Sequence, residues 1–342
     1  EMTNFKVFLV FSFIANHAFF TKVDCEKSLV PALYVFGDSG FDNGNNNNLN
    51  TIAKVNTYPY GIDFNNQSTG RFTNGKTYAD LIAIKLRLPL PPPYLGLSGS
   101  EGYQVTTGIN YASGACGILN DSRVGECLSL DKQIEYFTSS VTNDLPKLFG
   151  RKDYMRQHLS KSIYLIGIGS NDYSLNYFKN ESMKPEEFAD YLIEQLSRKI
   201  KTLYDLGARK FIVGSVNQLG CSPRVFCNET MNQIVKPYSE KLQTKTQHLQ
   251  KQLSGSIFIS INSFNFFNEI KNAPKKYGFT NISKPCYEEG ITLCANRKEY
   301  YFWDKHGHTT EAALKIYADD SFSGSKLCFP MNIEKLALSD LR

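Results

Sequence analysis

The stretch Leu33-Tyr-Val-Phe-Gly-Asp-Ser-Gly40 joins four consecutive apolar residues to a turn rich in glycine and aspartate. A short apolar run that ends at a turn is typical of a strand buried on both faces of a sheet. Ser39 would then lie at the carboxyl end of that strand, where parallel sheets place their ligand sites. The stretch predicts a buried strand with a candidate nucleophile at its end; an ordinary turn of the same composition is the alternative.

Further strand-length apolar runs follow at Ile163–Ile166, Phe211–Val213 and Ile257–Ile261. Helical segments separate them, one at Pro185–Leu206, which opens with proline and two glutamates, and one at about Asn232–Leu253. Strands that alternate with helices predict a mostly parallel sheet covered by helices on both faces. We therefore expect a single-domain α/β fold, a three-layer α/β/α sandwich.

Composition restricts the function. The 342 residues include 38 Lys+Arg and 33 Asp+Glu, a net charge of +5, and 42% of them are hydrophobic. That apolar content predicts a packed core rather than a disordered chain. Because the basic residues are scattered among acidic ones and form no stripe, we expect no nucleic-acid partner.

The amino-terminal segment has the pattern of a secretory signal. Lys6 precedes an apolar run from Val7 to Phe20, which is too short for a membrane span of roughly 20 residues. We expect a signal peptide at residues 1–25, a globular domain at residues 26–342, no integral membrane span, and a secreted, extracellular monomer.

Cysteines and glycosylation sequons agree with an oxidising route. The eight cysteines include three closely spaced pairs, which predict local disulfides and leave Cys25 and Cys328 over. Zinc is the alternative, but none of the pairs has the spacing of a zinc knuckle. The predicted pairs are Cys116–Cys127, Cys221–Cys227 and Cys286–Cys294, and the sequons, where N-glycans are expected, are Asn66, Asn120, Asn180, Asn228 and Asn281.

Three more segments carry candidate chemistry. Gly167–Tyr173 follows the second strand and contains Asn171, whose amide could stabilise an oxyanion or could simply suit a turn. The small-residue loop Gly108–Gly117 could bring a backbone N–H close to a substrate oxygen. Tyr301–Ala313 supplies an aspartate and two histidines ahead of a helical run, and a histidine is the base that a serine nucleophile needs.

The Ser39 turn and these three segments, taken in their order along the chain, resemble the plant-type GDSL esterase/lipase family of the SGNH hydrolases. The resemblance extends to Thr69–Lys76, Gly220–Pro223 and Cys294–Arg297, and covers nearly all of the chain after the signal segment. It implies an SGNH-hydrolase-like, flavodoxin-like sandwich and a carboxylic ester hydrolase. The roles that it implies are Ser39 as nucleophile, His308 as base, Asp304 as the acid that orients it, and an oxyanion hole of the Ser39 and Gly114 N–H groups and the Asn171 side chain.

The chain departs from the family pattern at two places. Gly40 stands where the family usually has leucine, and the family's Asp-x-x-His spacing is replaced by histidines two and four residues after Asp304. His308 is chosen because His308-Thr-Thr-Glu311 keeps the family register, so that the extra residue must bulge at Lys305–Gly307, with Thr309 or Thr310 opening the helix. His306 remains the alternative base, and a metal site of Asp304, His306 and His308 is a further alternative.

The function expected is hydrolysis of a small-molecule or lipid ester through an acyl-enzyme on Ser39, with no cofactor and no metal. An acyltransferase would use the same residues. A secreted binding glycoprotein without activity is the alternative from another class, and the altered spacing after Asp304 is what suggests it. His158 and His248 lie in polar helical stretches and are expected to be solvated.

Overall fold

A computed structural model describes residues 27–97, 106–180, 182–225 and 227–340. The predicted signal peptide at residues 1–25 and the unassigned Cys25 lie outside the described residues. The domain boundary at residue 26 stays a prediction.

The described part of the chain contains eight strands and nine α-helices. The strands are β1 (Leu33–Gly37), β2 (Ile163–Gly167), β3 (Lys210–Gly214), β4 (Ile257–Ile261), β5 (Asn281–Glu288), β6 (Thr292–Leu293), β7 (Tyr300–Asp304) and β8 (Cys328–Phe329). The helices are α1 (Tyr78–Lys85), α2 (Leu130–Ser139), α3 (Leu145–Phe149), α4 (Lys152–Lys161), α5 (Pro185–Asp205), α6 (Glu229–Gln252), α7 (Ser263–Asn272), α8 (Glu311–Ser323) and α9 (Ile333–Leu338).

The central sheet has the order β1-β2-β3-β4-β8, in which β1 to β4 are parallel and β8 is antiparallel. All four predicted strands are present. Along the free side of β1, residues 107–113 run parallel to it: Val35 N donates to Ile109 O at 3.0 Å, and Tyr111 N donates to Val35 O at 2.8 Å. A second, smaller sheet pairs β5 with β6 and with β7, which ends at Asp304.

Alternate residues of the strands face two different cores, since successive side chains of a strand point to opposite faces. Tyr34 and Phe36 pack with Tyr164 against α2, α5 and α6. Leu33 and Val35 pack on the other face with α1, α7, α8 and α9. The predicted three-layer α/β/α sandwich is thus confirmed, and the near-continuous apolar strands are explained by burial on both faces.

The two helices predicted from the sequence are α5 and α6, with ends within three residues of those expected. The expectation for His158 is wrong. This histidine is buried on α4, where its Nε2 lies 3.1 Å from the Tyr34 hydroxyl, and burial lowers its pKa to about 4. The α4 sequence is polar, but His158 lies on the face that meets the sheet.

Two of the three predicted disulfides are confirmed, namely Cys116–Cys127 and Cys286–Cys294. The third is wrong, because Cys221 and Cys227 are free thiols. Cys221 is buried, with its sulfur 3.5 Å from Gln218 Oε1 and 3.4 Å from Asn232 Nδ2, whereas Cys227 is exposed. The two thiols interact with each other without forming a disulfide, and Gln218 and Asn232 are further partners of Cys221.

We predict that replacing Cys116 and Cys127 together by alanine lowers the free energy of unfolding by about 3 kcal/mol, because the disulfide closes a loop with a sequence separation of 11. Denaturant unfolding measures the loss. Cys227→Ala is the matched control, since it removes an exposed, unpaired thiol, and we expect it to change the free energy little. Equal losses in the two variants would contradict the prediction.

Candidate active site

Ser39 lies at the carboxyl end of β1, in a tight turn. Asp38 N donates to Gly167 O at 3.2 Å, and Asp38 O then accepts bonds from the N–H groups of Phe41 and Asp42, both at 3.1 Å. Such a turn needs a close approach to β2: a Cβ on Gly167 would lie 2.1 Å from the Phe41 ring. Glycine at the end of β2 therefore allows the turn to fold over the sheet and present the Ser39 hydroxyl.

Three side chains from two distant parts of the chain form a continuous hydrogen-bonded relay. His308 Nε2 lies 2.9 Å from Ser39 Oγ, and His308 Nδ1 lies 2.6 Å from Asp304 Oδ2. Asp304 is buried at the end of β7, and the His308 side chain is 18% exposed. The carboxylate fixes the imidazole with Nδ1 protonated, which leaves Nε2 free to accept the serine proton.

The extra residue between Asp304 and His308 is absorbed by the backbone at residues 305–307. Gly307 has a φ of 92°, a left-handed conformation that glycine adopts without strain. Asp304 Oδ1 accepts the backbone N–H groups of His306 at 2.9 Å and His308 at 3.3 Å, so the carboxylate also holds the bulge. Thr310 caps α8, which it begins by accepting a bond from Ala313 N.

Tyr60 is a site residue that the sequence reasoning missed. Its hydroxyl donates to Asp304 Oδ2 at 2.8 Å, on the same oxygen that holds His308. The Tyr60 ring lies edge-on to Trp303 and Tyr287, with centroids 5.9 and 5.7 Å away. Because Tyr60 and Asp304 are 244 positions apart in sequence, no local pattern could have linked them.

The charges around His308 favour its protonated form. Burial by itself opposes protonation, but the negative charges of Asp304 and Asp38 and the hydrogen bond to Asp304 outweigh it and raise the pKa of His308. For Asp304, burial likewise opposes ionisation, yet the charge and hydrogen bond of His308 lower its pKa. The pair therefore stabilises an imidazolium next to a carboxylate, the state that forms when serine loses its proton.

The three predicted oxyanion donors differ in whether their N–H groups already have acceptors within the protein. The Gly114 N–H donates to Asp42 Oδ2 at 3.0 Å in this structure, and its role in the oxyanion hole stays a prediction. Asn171 Nδ2 donates one proton to Cys116 O at 2.8 Å, which leaves its second amide proton available. Among the described residues, the Ser39 N–H has no hydrogen-bonding partner.

Asp42 explains why the Gly114 N–H is occupied. Its other oxygen, Oδ1, accepts the N–H groups of Gly44 at 2.7 Å and Asn45 at 2.8 Å, so the carboxylate ties the loop after β1 to the Gly108–Gly117 loop. Burial raises the pKa of Asp42 to about 6, against the effect of these backbone bonds. A carboxylate so deeply buried needs several donors, and Gly114 supplies one of them.

The Thr69–Lys76 block joins the two halves of the relay. The Phe72 ring lies 5.0 Å from the imidazole of His308. Asn74 Oδ1 accepts the backbone N–H of Glu311, the first residue of α8. Arg71 forms an antiparallel β-bridge with Asn43, four residues after Ser39, and its Nη1 donates to Asn43 O at 3.4 Å. The block thus holds the histidine loop next to Ser39.

The alternative reading of Asp304, His306 and His308 as metal ligands does not fit the site. Both ring nitrogens of His308 are engaged, by Asp304 and by Ser39, and the centroid of the His306 ring is 6.4 Å from that of His308. Within the ranges that the structure describes, no group of three metal-ligating side chains is suitably placed. The arrangement is suited to proton transfer from serine.

Comparisons with known proteins show what this chain is similar to. The family model for GDSL-like lipase/acylhydrolase matches residues 33–320. GDSL esterase/lipase At1g71691 of Arabidopsis thaliana is 38% identical over 336 residues, covering 90% of this chain and 86% of its own. GDSL esterase/lipase 7 of the same plant is 38% identical over 341 residues, covering 91% and 93%. GDSL esterase/lipase At2g19060, also from that plant, is 39% identical over 338 residues with the same coverage.

We predict that Tyr60→Phe raises the pKa of His308. Without the Tyr60 hydroxyl, Asp304 Oδ2 keeps more of its negative charge for the imidazolium, which stabilises the protonated form. An NMR titration of the imidazole measures the shift. Tyr287→Phe is the matched control, because Tyr287 stacks on Trp303 and makes no hydrogen bond to Asp304 among the described contacts. Equal titration curves for Tyr60→Phe and the parent would contradict the prediction.

Proposed function

The chain belongs to the GDSL-like lipase/acylhydrolase family and is a carboxylic ester hydrolase, and from this premise we propose that it cleaves esters through an acyl-enzyme on Ser39. The observation that carries the proposal is the relay of 2.9 and 2.6 Å from Ser39 Oγ through His308 to Asp304. In the first step His308 Nε2 takes the hydroxyl proton while Ser39 Oγ attacks the acyl carbon. The imidazolium then gives that proton to the departing alcohol, and water releases the acid in a second, equivalent cycle.

The oxyanion of the tetrahedral intermediates needs preorganised donors. The Ser39 N–H and the second amide proton of Asn171 are the two groups of the predicted set that remain available. We assign the oxyanion to these two. The Gly114 loop contributes by position, because Asn171 donates to Cys116 O in that loop and is held there.

The same acyl-enzyme could pass its acyl group to an alcohol instead of water. Product analysis in the presence of a polyol distinguishes a transferase from a hydrolase. The reading as an inactive binding glycoprotein rested on the altered spacing after Asp304, and the bulge at Gly307, with the 2.6 Å contact between His308 and Asp304, removes that reason.

Secretion is part of the proposal. The disulfides Cys116–Cys127 and Cys286–Cys294 suit an oxidising compartment. Four of the sequon asparagines are exposed and so accessible to glycosylation: Asn66, Asn120, Asn180 and Asn228. Over the ranges that the structure describes, no helix combines the length and apolar character needed to cross a bilayer.

We predict that Ser39→Ala lowers ester turnover by roughly 10⁴-fold or more, since the nucleophile is lost while the oxyanion donors remain. Turnover of p-nitrophenyl butyrate measures the loss, and a fluorophosphonate should label the parent but not the variant. Ser174→Ala, which changes an exposed serine, is the control and should keep the parent activity. Activity surviving in Ser39→Ala would refute the nucleophile.

We predict opposite results for the two histidines. His308→Ala should lose activity to a similar extent as Ser39→Ala, whereas His306→Ala should be nearly neutral, because only the backbone N–H of His306 bonds Asp304. Ester hydrolysis assays on the two folded variants decide the assignment. Loss of activity in His306→Ala with survival in His308→Ala would reverse it.

The pH dependence follows from the raised pKa of His308. Below that pKa the imidazole already carries the proton and cannot act as base, so kcat/KM should rise with pH through an apparent pKa above 6.5. A pH–rate profile of the parent measures this limb. An inflection well below 6.5 would contradict the sign that the charges of Asp304 and Asp38 give to the shift.

A further inference from the structure

A cavity of about 170 Å³ opens beside the relay, over the carboxyl ends of β2, β3 and β4. Asp38 and Gly40, the two neighbours of Ser39, line it, and so does Thr309, the residue after His308. Ser39 and His308 do not themselves line the cavity, but the residues beside them do, so the cavity lies next to the position of an acyl group bound to Ser39. It extends away from the relay toward α8.

Most of the surface of this cavity is apolar. Six of its lining side chains are hydrocarbon: Phe41, Leu165, Ile168, Val216, Ile261 and Leu314. Covering such a surface with an apolar ligand favours binding, in proportion to the apolar area that is removed from water.

The three tyrosine hydroxyls in the wall are already paired within the protein. The Tyr78 hydroxyl donates to Ser321 Oγ at 2.7 Å, and the hydroxyls of Tyr301 and Tyr317 bond each other at 2.9 Å. These three hydroxyls contribute little to the binding of a polar ligand, because their hydrogen bonds are already made within the protein.

The hydroxyls of Ser170, Ser263 and Thr309 also line the cavity and make no hydrogen bond within the described residues. Asp38, at the Ser39 end, is the one acidic group in the described lining, and its Oδ1 accepts Gly40 N at 3.0 Å. An ionised Asp38 there disfavours a carboxylate in the cavity, and so favours the neutral chain of an ester over the free acid.

Building on the proposed acyl-enzyme, we propose that this cavity binds the acyl chain of the substrate and sets its length at about six carbons. An apolar protein cavity of about 150 Å³ holds one benzene molecule, which has six carbon atoms. The volume of about 170 Å³ matches an acyl chain of similar size. Longer chains have to leave part of their length in solvent and gain little from it.

Gly40 controls the entrance in this assignment. A Cβ built on Gly40 meets only one atom within 4 Å, Asp38 Oδ1 at 3.5 Å, and Gly40 is exposed, so a side chain is sterically allowed there. A leucine at this position would place four carbons at the end of the cavity where the acyl chain enters. Leu314, on α8, is a wall residue whose truncation would enlarge the cavity.

The test measures kcat/KM for p-nitrophenyl esters of two to twelve carbons. We expect kcat/KM of the parent to rise about threefold to fourfold for each added methylene up to about six carbons, because this is the factor expected from burying one CH₂. For longer chains, kcat/KM should level off or fall. Gly40→Leu should lower the ratio of hexanoate to acetate by about tenfold or more. Leu314→Ala should raise the ratio of octanoate to hexanoate by about tenfold, because the removed atoms make room for two more methylenes.

Ile316→Ala is the matched control for Leu314→Ala, since Ile316 lies half-buried on the same helix and does not line the cavity. A parent that hydrolyses esters with no dependence on chain length, or equal ratios in Leu314→Ala and Ile316→Ala, would overturn the cavity assignment while leaving the acyl-enzyme in place. A parent that turns over none of the esters and resists the fluorophosphonate would overturn the proposed function, and this inference with it. If Leu314→Ala does not fold, Gly40→Leu still tests the assignment through its ratio of hexanoate to acetate, because Gly40 is exposed and tolerates a side chain. An unchanged ratio would overturn the cavity assignment.

Discussion

One buried carboxylate, that of Asp304, holds the site together. Its two oxygens accept four bonds, from the Tyr60 hydroxyl, His308 Nδ1 and the backbone N–H groups of His306 and His308. An ionised carboxylate without partners could not be kept in a protein interior, because its desolvation costs several kcal/mol. The donors therefore converge on it, and in doing so they fix the loop that carries the base. The spacing of four residues between acid and base is workable because this loop curls around the acid.

The second constraint is the parallel sheet. Gly37, Gly167 and Gly214 lie side by side in register at the carboxyl ends of β1, β2 and β3. Without side chains at this edge, the turn that carries Ser39 can fold back over β2, and space remains between the strand ends and α8. The same edge therefore supplies both the exposed nucleophile and the cavity beside it, as expected where the loops of an open α/β sheet meet.

The sequence was sufficient for the sheet because the strands leave local signals, and for the relay because the family resemblance implied roles for Ser39, Asp304 and His308. Apolar strand-length runs predict β1 to β4, and the Asp304-to-His308 block carries its residues within five positions. The contacts that could not be predicted are those made only by folding. Tyr60 reaches Asp304 from 244 positions away, and Asp42 occupies the Gly114 N–H from 72 positions away. For Cys221 and Cys227 the spacing correctly predicted that the two side chains interact, but not that both remain free thiols.

Two further buried aspartates near the site, Asp38 and Asp42, lower the stability of the fold when they are ionised. Burial raises the pKa values of Asp38 and Asp42 from 3.8 to about 6. Between these values the folded protein binds more protons than the unfolded chain, so falling pH through this window stabilises the fold relative to neutral pH. The part of the charge effect on His308 that comes from Asp38 is present only above this window, whereas Asp304, whose pKa is lowered, is ionised throughout it. For Asp38, stability and activity therefore respond to pH in opposite directions, because the ionised form that raises the pKa of His308 is the form that burial disfavours.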